Sequence, residues 1–169
     1  MHLIDTINFI YEDDDIAVLN KPVGVVVHSD QTNQDTLVDY LKRQNMALSD
    51  ELGHRPGIVH RLDKMTEGLM VIAKHNDAFN FLKEQFKARH IIKKYYAVAQ
   101  GNMSHDNYDI NKPIARHPSK RHLFKVDPSG KEAITSITVM QRYNTKTLCD
   151  VRIKTGRTHQ IRVHFSDLG

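Results

Sequence analysis

Asp63 is the residue whose surroundings demand the most chemical explanation. It stands in Gly57-Ile58-Val59-His60-Arg61-Leu62-Asp63-Lys64-Met65-Thr66-Glu67-Gly68-Leu69-Met70-Val71-Ile72-Ala73-Lys74, between two apolar, β-prone runs. An ionised carboxylate buried among such residues is costly unless a cation or hydrogen-bond donors meet it. Capping of a turn through Gly68 is open to any Asp. His60, Arg61 and Lys64, however, crowd this corner with polar groups that a plain hairpin turn does not need. A functional corner is the better reading, and its candidate cationic partner lies far downstream, in Thr155-Gly156-Arg157-Thr158-His159-Gln160-Ile161-Arg162-Val163-His164-Phe165.

Other chemistries find less support. Eleven histidines invite a metal reading, but neither His54 with His60 nor His159 with His164 has the spacing expected of a metal-binding pair, and no metal site is expected. Neither a glycine-rich loop ending in Lys-Ser/Thr nor a G-x-G-x-x-G run occurs, which removes the phosphate-loop and dinucleotide classes. Glycoside hydrolysis usually needs two placed carboxylates, and Glu67 reads as a solvent-facing turn residue. Cys149, the single cysteine, sits in Leu148-Cys149-Asp150-Val151 and reads as a small buried residue.

These residues must be carried by a chain of 169 residues, enough for one domain with one sizeable core. No basic stretch followed by an apolar run opens it, and no window approaches a membrane span, so a cytosolic protein without a membrane partner is expected. The net charge of +4 hides an asymmetry: residues 1–52 hold three basic and ten acidic residues, whereas residues 53–169 hold 21 and ten. That imbalance suggests a basic face for a polyanion, with nucleic acid the first candidate.

Ile7–Tyr11 and Ile16–Asn20 read as a hairpin around Glu12-Asp13-Asp14-Asp15. Asp35 is the expected cap of a helix through Leu37, Tyr40 and Leu41. Asn76 is the expected cap of another, with Phe79, Leu82 and Phe86 on one face and Lys87 and Arg89 in its last turn. Residues 45–56 should form a loop leading into a strand that carries His60 and Asp63. Lys93–Ala99 reads as a strand, and Glu132–Tyr143 pairs with Thr147–Lys154 across Asn144-Thr145-Lys146. The terminal run alternates as a strand would but also makes a helical face of Ile161, Phe165 and Leu168; helix is preferred, with Thr158 as its cap. The class is α+β, with a mixed, mostly antiparallel β-sheet and flanking helices.

Five segments then occur in an order that resembles the RluA-type pseudouridine synthases. They are Asn20-Lys21-Pro22-x-Gly24-x-x-Val27-His28, His60-Arg61-Leu62-Asp63-x-x-Thr66-x-Gly68-Leu69, Lys93-x-Tyr95-x-Ala97, Gly130-Lys131-x-Ala133-x-Thr135 and Thr155 to His164. The resemblance covers nearly the whole chain and implies the pseudouridine synthase catalytic fold. It implies isomerisation of selected uridines in structured RNA: the bond from ribose C1′ to N1 breaks, the base turns, and C1′ rejoins at C5. No cofactor is needed.

In this frame Asp63 matches the catalytic aspartate, acting as nucleophile or base, and Arg162 the arginine that pairs with it. Tyr95 matches the tyrosine that stacks on uracil and assists proton removal at C5. Arg61 could fill the space left by a flipped uridine. His60, Arg157 and His159 complete the expected RNA-facing set with Arg116, Lys120 and Arg121, which belong to a basic segment with Lys112, His117 and Lys125. Ribosomal RNA is the preferred target and transfer RNA the alternative, acted on by a cytoplasmic monomer. A non-catalytic RNA-binding module and a nucleoside hydrolase are the rival classes. Two departures stand out. Glu67 replaces the usual Ser, and residues 1–169 are expected to be a catalytic domain lacking its C-terminal part and having no separate N-terminal RNA-binding domain.

Overall fold

The acidic turn folds by satisfying its own backbone. In the computed structural model, which describes residues 3–28 and 35–169, Asp13 Oδ1 accepts the N–H groups of Asp15 and Ile16 at 2.9 and 2.7 Å. Lys74 Nζ reaches Glu12 at 3.0 Å and the Asp13 carbonyl at 2.6 Å, relieving the crowding of like charges. The turn joins β1 (Asn8–Glu12) to β2 (Ile16–Lys21), and β3 (Gly68–Ala73) pairs antiparallel on the other side of β2. The expected hairpin is present.

The chain divides into two compact units between His90 and Ile91. In the first, Ala17 and Leu19 of β2 lie opposite Ile72 and Met70 of β3, all fully buried. Helices α1 (Leu37–Arg43) and α2 (Asn76–Lys87) add the buried Leu37, Leu41 and Phe79, each such side chain contributing about 1.5–3 kcal/mol of burial. Leu82 of α2 is half-buried against Phe79, and Phe86 is half-buried too, as the helical spacing predicts.

Both helix caps differ from expectation by one residue. Thr36, not Asp35, begins α1: its extended backbone lets Oγ1 accept Asp39 N–H, while the Asp39 carboxylate accepts Thr36 N–H. Asp35 instead forms a two-pronged ion pair with Arg43 at 2.6 and 2.7 Å. His75, not Asn76, caps α2 through Nδ1, because the Asn76 amide is taken by Ser49 and Asp50. Arg89 falls past the end of α2, in a left-handed conformation with φ 62°.

No strand carries His60 and Asp63. Only Ile58 bridges to Ile72 before the chain departs, and β3 begins at Gly68. Gly57 sets this geometry with φ +72°, in a position where a Cβ would meet the Ala73 carbonyl at 2.9 Å.

The second unit is a four-stranded antiparallel sheet in the order β4 (Lys93–Gln100), β9 (Lys146–Ile153), β8 (Ile134–Arg142), β5 (Asn107–Asn111). The β8–β9 pairing matches the expected one, with a bulge between Val139 and Gln141. Buried Ile110, Ile137, Cys149, Val151 and Ile153 form its core, against which Ile161 and Phe165 of α3 (Gln160–Leu168) pack. Burial pushes the Cys149 thiol up, as suits an inert core residue. A separate hairpin, β6 (Ile114–Arg116) with β7 (Phe124–Val126), and strand β5 have no counterpart in the sequence reading.

Helix α3 confirms the preference for helix but not its cap. His159 holds the N-terminal position in a left-handed conformation, φ 56° and ψ 24°, and makes no side-chain cap bond. The sharp turn there draws Gln160 into the interior, where its amide accepts Arg157 N–H in place of a Thr158 cap.

Candidate active site

Asp63 lies half-buried on the loop that separates Ile58 from β3, and that loop is anchored at three points. Leu62 is buried beside it. His60 Nε2 accepts Val71 N–H at 3.0 Å, and its ring stacks on Phe86 with centroids 4.8 Å apart. The Lys64 carbonyl accepts Gly24 N–H at 2.8 Å and Lys21 Nζ at 3.4 Å. Thr66 N–H closes a turn onto the Asp63 carbonyl at 3.0 Å.

Lys21 is the unexpected member. It has no exposed surface, and its ammonium also donates to the carbonyls of Pro22 and Val25, both at 2.9 Å. Burial pushes its pKa down to about 8, while the carboxylates of Asp63 and Glu67 pull it back up. A buried cation is thus electrostatically coupled to the carboxylate that the sequence singles out.

In the second unit, Tyr95 faces the sheet core from β4 and is half-buried, whereas Tyr96 points to the other face at 77% exposure. The strand's alternation separates the two tyrosines that adjacency in sequence confuses. Arg162 is on the exposed side of α3, opposite the buried Gln160 and His164. Arg157 Nε donates to the Glu132 carbonyl at 2.7 Å.

The basic segment becomes the β6–β7 hairpin. Arg116 lies 5.2 Å over the Phe124 ring and donates to the Arg121 carbonyl at 2.9 Å. Phe124 in turn meets the His159 ring edge-on at 5.7 Å, joining the hairpin to the start of α3. Lys120 and Arg121 are exposed at the tip. Lys112 and Lys125 are engaged in ion pairs with Asp167 and Asp127, at 2.6 and 2.7 Å. The Lys125 ammonium and Ser129 donors hold the Asp127 carboxyl well below the usual carboxylate range.

The family described as RNA pseudouridylate synthase matches residues 15–167. This chain belongs to that family. Among curated relatives, it is 51% identical over 167 residues to an uncharacterized RNA pseudouridine synthase of Aquifex aeolicus, covering 96% of this chain and 53% of that protein. It is 44% identical over 163 residues to ribosomal large subunit pseudouridine synthase D of Salmonella typhimurium, covering 96% and 49%. The chain therefore spans about half the length of the curated relatives it matches. Two solved structures are similar. Human RNA pseudouridylate synthase domain containing 1 has a TM-score of 0.81 at 24% identity, over 98% of this chain and 66% of that one. Human RNA pseudouridylate synthase domain containing 4 has a TM-score of 0.71 at 26% identity, over 95% and 64%. The first likeness is one of fold, and the α+β, mainly antiparallel class expected from sequence is borne out.

Membership bears out the RluA-type resemblance. Asp63, His60 and Arg61 belong to the first unit of this pseudouridylate synthase family member, and Tyr95, Arg116, Lys120, Arg121, Arg157, His159 and Arg162 to the second. Three residues gain importance that sequence reading does not assign. Lys21 carries a signal, a lysine inside an apolar strand before Pro22. Phe124 and His164 carry none that periodicity could reveal.

Proposed function

We propose that this chain isomerises uridine to pseudouridine in RNA, with ribosomal RNA as the target class, and that it works in the cytoplasm as a monomer. The observation that carries the reading is the loop of Asp63, a carboxylate in the family motif, anchored through His60, Leu62 and Lys64 and coupled to the buried Lys21. A reacting group held this way loses little entropy on reaching its working geometry.

In this reading Asp63 acts on the sugar or base as the glycosidic bond breaks, and Arg162 is the arginine that the family motif assigns to it. Tyr95 stacks on the uracil and assists transfer of the C5 proton. Arg61, Arg116, Lys120, Arg121, Arg157 and His159 hold phosphates, while His60 serves the site mainly by fixing the loop, since its Nε2 is bonded to Val71 N–H. The relative named for the large ribosomal subunit supports ribosomal RNA, and the net +8 of residues 91–169 supports a polyanionic substrate. Among the described residues no helix is long and apolar enough to cross a membrane.

Tritium release from RNA labelled at uridine C5 tests the proposal. Wild-type chain should release tritium, and Asp63→Asn should lose activity by roughly a thousandfold or more while binding RNA about as well. Binding without release from either protein would instead make the chain an RNA-binding module.

A further inference from the structure

Helix α3 is held by a run of hydrogen bonds in which each proton has one direction. Ile134 N–H donates to Thr155 Oγ1 at 2.9 Å, and the Thr155 hydroxyl donates to Gln160 Oε1 at 2.8 Å. That oxygen also accepts Arg157 N–H at 3.0 Å, which fixes the orientation of the amide. Gln160 Nε2 then donates to the Ile134 carbonyl and to Thr135 Oγ1, both at 3.0 Å. The Thr135 hydroxyl proton is left to His164 Nδ1, at 2.8 Å, and His164 Nε2 faces the Lys112 carbonyl at 3.0 Å. A carbonyl can only accept, so Nε2 carries a proton, and in a neutral ring Nδ1 is then the acceptor. Thr135 and His164 have no exposed surface, and Thr155 and Gln160 are buried with them.

We propose that this relay is the positioning device for Arg162 and Arg157, and that His164, as the neutral Nε2–H tautomer, is its terminal positioning residue. Gln160 and His164 are one helical turn apart and share the buried face, so Arg162, midway between them, is turned to the exposed side. Apolar contacts through Ile161 and Phe165 alone are non-directional and would let the helix rock or slide. The relay is directional. It ties α3 to β8 at Thr135, to the preceding turn at Thr155 and Arg157, and at Lys112 to the segment joining β5 and β6. Arg157 is gripped twice, by its N–H on Gln160 and its Nε on the Glu132 carbonyl. In the uridine isomerisation proposed above, on which the activity part of this inference rests, His164 touches no substrate and acts through Arg162.

Three measurements on the chain decide the matter. A two-bond proton–nitrogen correlation of the His164 ring at neutral pH should show a neutral imidazole with its proton on Nε2; an imidazolium or an Nδ1–H tautomer overturns the relay. His164→Gln keeps the donor toward Lys112, His164→Asn keeps the acceptor toward Thr135, and Thr135→Val removes the middle of the relay. Each should accelerate amide exchange in residues 160–168 by about tenfold relative to β4 and β9. Equal acceleration throughout the unit, or none in α3, overturns the positioning role. With labelled RNA, the same variants should lower the turnover constant by about tenfold with affinity held within about twofold, and Arg162→Ala should add little in the Thr135→Val background. Losses that follow RNA affinity or folded fraction overturn the proposal. Should the wild-type chain release no tritium, the isomerase reading fails, and the ring and exchange measurements still decide the relay.

Discussion

Lys21 concentrates the electrostatics of the first unit in one ammonium group. Its folded-state pKa of about 8 lies below the ordinary 10.5, so between these values the unfolded chain binds a proton that the folded chain has released. The unfolding free energy from this group therefore rises as pH climbs through that window, by up to about 3 kcal/mol, and below the window the cost of burying the cation applies in full. Urea unfolding of wild type and Lys21→Met from about pH 7 to about pH 10.5 isolates the effect. The stability advantage of wild type over the variant should grow with pH, and a difference that stays flat would remove Lys21 as its source. At any one pH the variant should also be less stable, because the Pro22 and Val25 carbonyls lose their donor, at roughly 1–3 kcal/mol for each group left unsatisfied.

Elements are set here by a few backbone-level contacts. The reciprocal bonds of Thr36 and Asp39 start α1, so Thr36→Ala should cost about 1 kcal/mol. Asp35→Asn weakens the exposed pair with Arg43 and should stay within about 0.5 kcal/mol. Thermal melting of both variants checks which residue is the cap. Gly130 sets the β6–β7 hairpin differently, because a Cβ there would meet the Ile114 carbonyl carbon at 2.4 Å and its oxygen at 2.6 Å. The exchanged N–H and carbonyl bonds between Ile114 and Lys131 leave that backbone little room to yield. Gly130→Ala should therefore displace the hairpin. Nuclear magnetic resonance should show shifts concentrated in residues 114–131, with the β8–β9 amides unchanged.

At the scale of the whole molecule the governing quantity is the division of charge. Residues 1–90 carry ten basic and fourteen acidic groups, and residues 91–169 carry fourteen and six. A polyanion is thus attracted mainly to the second unit, whose hairpin places Lys120 and Arg121 at an exposed tip. If both contact phosphates, changing them to Gln should lower the slope of log affinity against log salt by about 0.7 each for single-stranded RNA. Filter binding over a salt series checks this. An unchanged slope would move the phosphate contacts elsewhere on the unit.

Much of this protein was legible in sequence because the signals are local. Alternation over residues 134–142 and 146–153 predicts their pairing, the spacing of Phe79, Leu82 and Phe86 predicts the buried face of α2, and five ordered motifs lead to the family. Asp63 could be singled out because a carboxylate between apolar runs is anomalous on its own terms. What sequence left undecided depends on partners distant along the chain. Asp35 and Thr36 are equally good caps until the backbone determines which one sits before the first helical residue. The segment at His60 looks like a strand, yet Ile58 alone makes a ladder bridge to β3, and His60 reaches β3 through its side chain. Lys21 has no structural role in the sequence until its ammonium meets the Lys64 carbonyl 43 residues away, and His164 reads as one of eleven histidines until it meets Lys112, 52 residues away. Such bonds form only when folding removes water from both groups at once, so tertiary structure alone decides which polar residues become interior fastenings and which stay on the surface.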